Sequence, residues 1–130
     1  MPLSYTTPPG LDDLAAIGRR ALATVPAELA RFVQNVVIRV EEFPDEEVEE
    51  AMDLESPFDL LGLYRGVSLN RKSVSGQAHD VDMIFLYRRP ILDYWSETGE
   101  DLFQLVRHVL IHEIGHHFGL SDEDMERLEG

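Results

Sequence analysis

Hydrophobic residues recur at two different spacings along this 130-residue chain, and the spacings predict both helices and strands. Residues 11–23 carry apolar side chains at helical spacing, with Asp12 and Asp13 in the first turn, where the helix dipole favours negative charge. Pro26 opens a second short helix. The β-branched, alternating run 35–40 predicts a strand. The N-terminal part is therefore predicted to be two helices followed by one strand.

The rest of the chain repeats this mixture. Residues 60–65 and 81–88 are rich in strand-forming side chains, and Pro90 ends the second of these runs. The polar, Gly- and Ser-containing stretch 66–79 between them predicts a loop. Residues 98–119 predict the longest helix, which a short terminal helix follows. This order predicts an α+β fold, with a small mixed β-sheet packed against helices on one side.

Length and composition indicate a single folded domain over residues 11–130, preceded by a short Pro/Thr-rich tail at residues 1–10. The absence of cysteine excludes disulfides and thiolate metal sites. No run approaches the roughly 18 apolar residues that a membrane span needs. The tail lacks the basic start and apolar centre of a signal peptide. We therefore expect a cytoplasmic protein that does not bind membranes.

The formal net charge of −14 repels phosphate backbones and anionic lipid, so we expect no nucleic-acid partner. Nine acidic residues fall within 41–55, where Val48, Ala51 and Met52 stand at helical spacing. We interpret this segment as an exposed amphipathic helix. The alternative is a docking face for a basic partner.

The most informative segment runs from His112 to Asp122 and has the pattern H-E-x-x-H-x-x-G-x-x-D. On a helix, His112 and His116 lie about 40° apart around the axis and one turn apart along it. Two imidazoles placed in this way can each direct one nitrogen at a common zinc ion. Glu113 is offset to one side, where it can reach the water of the ion without binding the metal. The spacing therefore predicts two zinc ligands and a general base.

A catalytic zinc needs a third protein ligand and one open position for water. Gly119 can end the helix in a left-handed conformation, so the chain can turn back toward the histidines. Ser121 and Asp124 resemble a capping box for the next helix. Asp122 would lie at the start of that helix, with its carboxylate free to face the pair. We therefore predict Asp122 as the third ligand of a single zinc ion.

Chance alone gives an H-E-x-x-H match in a chain of this composition about 2% of the time, and the added Gly and Asp reduce this to on the order of one in ten thousand. His108 stands one turn earlier and cannot share an ion with His116, because eight helical residues span about 12 Å. We interpret His108 as a residue beside the site or in the core, and His117 as a packing or surface residue. Asp124 could support a ligand histidine, although capping explains it equally well.

The sequence HEIGHHFGLSD, with LLGLYRG and IFLYRRPI upstream, resembles the Asp-zincin type of zincin metallopeptidase and the bacterial family of minimal zincin-like proteins. The resemblance covers most of the chain. It implies a minimal zincin-like fold, zinc bound by His112, His116 and Asp122, and Glu113 as the catalytic glutamate. It also implies that the strand at 81–88 is the edge strand along which an extended peptide binds.

The expected activity is zinc-dependent hydrolysis of peptide bonds, with a peptide or protein as substrate. Tyr87, Tyr94 and His79 are candidate oxyanion stabilisers, each with a structural role as the alternative. One rival function is a catalytically inactive zinc-binding or interaction module that keeps the fold. Another is a zinc-dependent ribonuclease, against which the acidic charge and Glu113 argue. Larger zincins have a C-terminal subdomain that forms the lower wall of the substrate cleft, and only eight residues follow Asp122 in this chain. A homodimer would cover the apolar surface that such a cleft leaves exposed.

Overall fold

The computed structural model describes residues 7–66 and 81–129, which form six α-helices, one short 3-10 helix and three strands. The helices are α1 (Leu11–Leu22), α2 (Ala27–Ala30), α3 (Glu46–Ala51), α4 (Arg88–Thr98), α5 (Leu102–His117) and α6 (Asp122–Glu129), and the 3-10 helix is Pro57–Asp59. The strands are β1 (Val37–Glu41), β2 (Gly62–Arg65) and β3 (Met83–Tyr87). All three predicted strands are confirmed. The predicted loop lies outside the described residues, apart from its first residue.

The three strands form one mixed sheet with the order β1-β3-β2. Strand β1 runs parallel to β3, with Ile38 opposite Ile84, and β2 runs antiparallel to β3, with Tyr64 opposite Ile84. Strand β3 is thus paired on both sides, so the expectation that it is the edge strand is wrong. Within the described residues, the edge strands of the sheet are β1 and β2.

One face of the sheet and two long helices enclose the hydrophobic core. Because side chains alternate along a strand, Ile84 and Leu86 point to the same face, and both are fully buried. Helix α5 contacts β2, and helix α1 contacts both α5 and β1. Helix α3 instead lines a shallow cavity with Leu63 and Arg65, whose side chains point to the opposite face. The predicted α+β architecture is confirmed.

The predicted helix over 98–119 is wrong at its start, because a separate helix, α4, precedes it. Pro90 is the third residue of α4, where the backbone N–H would have no partner inside the helix, so proline costs little there. Gly99 ends α4 in the left-handed conformation, with φ +68°. Helix α5 then begins after Asp101, whose carboxylate accepts a hydrogen bond from the Gln104 N–H at 3.0 Å.

Part of the predicted N-terminal tail is fixed to the fold. Pro9 is buried, and its carbonyl accepts a hydrogen bond of 2.6 Å from Arg88 Nε. The same guanidinium forms an ion pair of 2.9 Å with Glu42. The acidic segment contains a helix, as predicted, but α3 is shorter than the segment. Among the described residues, no helix has the length and apolar character needed to span a bilayer.

Candidate metal centre

Helix α5 presents three histidines at successive turns along one partly exposed stripe. The sequence produces this stripe because apolar residues occupy most other positions of the helix, including the fully buried Leu110, Ile111 and Ile114. The side chain of His112 is 26% exposed, whereas those of His108 and His116 are 50% and 56% exposed. The middle histidine is thus the most enclosed of the three.

Helix α5 ends at His117, and Gly119 forms the left-handed turn that the sequence predicts after it. Gly119 has φ +79°, and its N–H donates to the His116 carbonyl at 3.2 Å. The Leu120 N–H donates to the Gly115 carbonyl at 2.8 Å, which completes a Schellman turn. Ser121 then begins α6, because its hydroxyl accepts a hydrogen bond of 3.1 Å from the Asp124 N–H. The turn reverses the chain and returns α6 toward the histidines.

Helix α6 is held against α5 by the close contact of Met125 with Gly115. Met125 is fully buried, and a β-carbon added at Gly115 would lie 2.7 Å from Met125 Cγ. Only a residue without a side chain lets the two helices approach this closely. The glycine inside the H-E-x-x-H motif therefore determines where the carboxylates of α6 lie.

The structure places the predicted ligands near one another, but it does not bring all three donor atoms together. His116 Nε2 lies 3.5 Å from Asp122 Oδ1, and the His112 and His116 rings are 5.9 Å apart at an interplanar angle of 86°. The side chain of Asp122 is 88% exposed. The described residues contain one group of three donors within 4.8 Å of one another, and that group is His108, His112 and Glu129.

Glu129 was not among the predicted ligands, although its spacing from Asp122 along α6 could have indicated it. Residues 122 and 129 are seven apart, so they share one face of the helix. Glu129 Oε1 lies 2.5 Å from His108 Nδ1, and its other oxygen lies 3.8 Å from His112 Nε2. His108 is exposed, so its interpretation as a core residue is wrong, and it lies beside the site instead.

The side chain of Glu113 extends from helix α5 toward strand β2. Burial raises the pKa of Glu113, and the nearby backbone N–H of Tyr64 and the nearby His116 oppose this shift. The Tyr87 N–H donates to the Leu61 carbonyl, so by the antiparallel pattern Tyr64 directs its own N–H and C=O away from β3. No described strand pairs with that side of β2, so within the described residues Glu113 lies beside an outer edge of the sheet, a position that the sequence did not predict.

Residues around the motif take structural roles. The ring of His117 stacks on that of Tyr64 at 4.0 Å, which agrees with its predicted packing role. Asp124 forms an ion pair of 3.3 Å with Arg127, and bonds to Ser121 and Arg127 lower its pKa. Of the three candidate oxyanion stabilisers, Tyr87 is buried and Tyr94 is exposed. His79, the third candidate oxyanion stabiliser, lies outside the described residues.

The donor set is suited to a metal ion. His112 Nε2 is buried and has no hydrogen-bond partner, a state that costs free energy unless a ligand satisfies it. Burial, reinforced by the neighbouring His108, lowers the pKa of His112 and so favours the neutral imidazole that metals bind. Imidazole nitrogens and carboxylate oxygens are ligands that zinc accepts. The residues present therefore fit zinc.

These features define an α+β protein in which a helix beside a small mixed sheet carries candidate donors for a metal ion. The chain belongs to the zincin-like metallopeptidase family, whose sequence profile matches residues 33–130. Membership in this family implies a metal, with zinc as the expected ion, and peptide or protein substrates. No curated protein shows a significant match to the sequence.

Proposed function

We propose that this chain is a zinc-dependent peptidase in which His112, His116 and Asp122 hold the ion and Glu113 is the general base. The observation that carries the proposal is the position of Glu113. Glu113 directly follows the ligand His112 in the sequence. Its carboxylate lies near the backbone of Tyr64 on β2. A base in this position would be close both to an ion held by the histidines and to a strand added beside β2.

The substrate would bind as an extended peptide along the side of β2 that no described strand occupies. The edge of a strand offers N–H and C=O groups that hold a peptide backbone regardless of its sequence. Tyr64 directs its backbone groups to this side, and its ring is fixed by the His117 stack and by a bond of 2.8 Å to Asp82. These contacts would keep the edge rigid while a peptide exchanges.

Zinc, when bound, supplies a water of lowered pKa and polarises the scissile carbonyl. Glu113 would take the proton from the attacking water and then donate it to the leaving amine. The burial of Glu113 suits this role, because a raised pKa brings the carboxylate closer to the range in which a group both accepts and returns a proton. His116, which is close enough to influence this pKa, would keep the carboxylate beside the ion.

A second candidate function is a zinc-binding module without turnover. The exposure of His116 and Asp122 favours it, because expelling water from an active site strengthens the electrostatic interactions there, and these two side chains are open to water. The proposed peptidase therefore requires that the bound peptide cover these two residues.

The test compares the zinc-loaded parent with Glu113→Gln on a peptide library. We expect Glu113→Gln to keep one equivalent of zinc and to lose about 10²–10⁴-fold in activity, the usual contribution of a general base. Glu126→Gln makes the same change at an exposed position of α6 and should leave both properties unchanged. Stoichiometric zinc with no cleavage by the parent would instead support the binding module.

The ligand assignment needs its own test. Asp122→Ala should weaken zinc binding at least tenfold, as measured by competition with a chromogenic chelator, while Glu123→Ala should have little effect. The two residues are adjacent, exposed and equally acidic in charge, so the comparison isolates ligation from net charge. An unchanged zinc affinity in Asp122→Ala would show that the third ligand is another residue.

A further inference from the structure

His112 occupies the middle of two overlapping donor sets on helix α5. On its C-terminal side, His116 lies beside Asp122 at 3.5 Å. On its N-terminal side, the ring of His108 lies 4.1 Å from that of His112, and Glu129 reaches both histidines. Each set therefore consists of two histidines one helical turn apart and a carboxylate from α6.

The N-terminal set is the more nearly assembled of the two. Its three donor atoms lie within 4.8 Å of one another, so small side-chain rotations would bring them to a common ion. The two oxygens of Glu129 already point to different histidines, at 2.5 Å and 3.8 Å. His112 Nε2, which faces this carboxylate, is buried and has no hydrogen-bond partner. An enclosed nitrogen that lacks a hydrogen-bond partner and lies beside a carboxylate is suited to binding a cation.

We propose that His108, His112 and Glu129 form a second position for a divalent transition metal, one turn of α5 away from the position of the motif. Two imidazoles and a carboxylate suit zinc and cobalt. Because His112 Nε2 has one lone pair, His112 serves one position at a time. The chain would then bind a single ion that exchanges between the two positions.

This exchange has a consequence that rests on the proposed function. When the ion is at the second position, His112 is not available to bind it together with His116 and Asp122 beside Glu113. Molecules in this state would not hydrolyse peptides. The metal-binding measurement itself does not depend on peptidase activity. Failure of the second position and failure of the peptidase proposal are therefore distinguishable.

The experiment uses Co²⁺ as the probe, with binding followed by its visible absorption and by elemental analysis. The full chain carrying His116→Ala and Asp122→Ala lacks two donors of the motif position and keeps all three donors of the second. We expect this variant to bind one equivalent of Co²⁺. Both substituted side chains are more than half exposed, so we expect the fold to persist, and circular dichroism would verify it. No Co²⁺ binding by the folded variant would overturn the proposal.

Two further changes on that background identify the donors. Glu129→Gln should weaken Co²⁺ binding at least tenfold, and Glu126→Gln, on the same helix but exposed, should have no effect. His108→Gln should weaken it to a similar extent without altering the α6 carboxylates. Equal affinities for all these variants would overturn the assignment. In the parent, saturation at one equivalent supports the shared ligand, and saturation at two would show that His112 is not shared.

Discussion

The carboxylate of Glu113 on helix α5 lies close enough to the backbone N–H of Tyr64 on strand β2 for that N–H to oppose the rise in the pKa of Glu113. This proximity places the helix that carries the candidate metal donors beside the side of β2 that no described strand occupies. A peptide bound along that side, as we propose, would contact the same N–H and would therefore compete with Glu113 for it.

Glu113→Gln should stabilise the metal-free protein at pH 7. Burial raises the pKa of Glu113 above its ordinary value of 4.5, so the folded state holds the proton more tightly than the unfolded state and the charged form is destabilising. Stability of the parent should rise as the pH falls through the raised pKa toward 4.5, and the advantage of the variant should shrink accordingly. Urea denaturation at several pH values measures this, with Glu126→Gln as control. An advantage that does not depend on pH would contradict it.

Gly115→Ala should destabilise the protein by about 1–3 kcal/mol, the usual cost of overpacking a core, although alanine favours helix more than glycine does. The added methyl group would collide with Met125 and displace α6, so zinc affinity should fall as well. Urea denaturation and a chelator competition measure the two effects. On a Met125→Ala background, Gly115→Ala should cost little. Additive effects of the two substitutions would show that the contact does not limit the approach of the helices.

Removal of the metal should lower thermal stability but leave the fold intact. The candidate ligands are all partly exposed, and the buried core of the described residues is apolar, so we expect the fold to persist without the ion. Zinc at 100 times its Kd should add about 2.7 kcal/mol to the free energy of unfolding. Thermal scans with zinc and with chelator measure the gain, which should decrease in Asp122→Ala. Loss of far-ultraviolet circular dichroism on chelation would contradict the prediction.

Stability should fall between pH 10 and 12, in part because of Tyr87. Burial, aided by the charges of Glu41 and Asp45, raises the pKa of Tyr87 from 10.0 to about 12. The unfolded chain therefore loses this proton first, and each such tyrosine contributes a slope of up to about −1.4 kcal/mol per pH unit. Tyr87→Phe should reduce the slope, while Tyr94→Phe, at an exposed position, should not. Equal slopes in urea denaturation would contradict this assignment.

The sequence predicted the strands and the motif helix because those elements depend on local patterns. It did not predict α4, since Pro90 signals the end of an element both when it follows a strand and when it opens a helix. The hydrogen bond from the Arg89 N–H to the Glu42 carbonyl shows what supports that helix start, and it depends on a residue far away in the chain.

The order of the strands could not be read from the chain either. Strand β3 is central because β1 pairs with it in parallel while β2 pairs on its other side, and both pairings join segments distant in sequence. The position of the Tyr64 backbone beside Glu113 depends on this strand order, so the sequence could not predict it either. By contrast, the spacings of His108 from His112 and of Glu129 from Asp122 are visible in the sequence. They do not by themselves indicate a second set of ligands, because the motif already provides three.

The left-handed turn at Gly119 has a consequence for the order in which the protein assembles. Every candidate metal donor lies in the two helices that this turn joins, so bringing them together closes only a short loop and costs little chain entropy. The contact of Glu113 with Tyr64 closes a loop of roughly 50 residues and must await the sheet. We therefore expect a refolding chain to bind Co²⁺ before Glu113 reaches its position beside Tyr64. Stopped-flow absorption detects the binding of Co²⁺. Metal uptake that lags behind formation of the sheet would contradict this order.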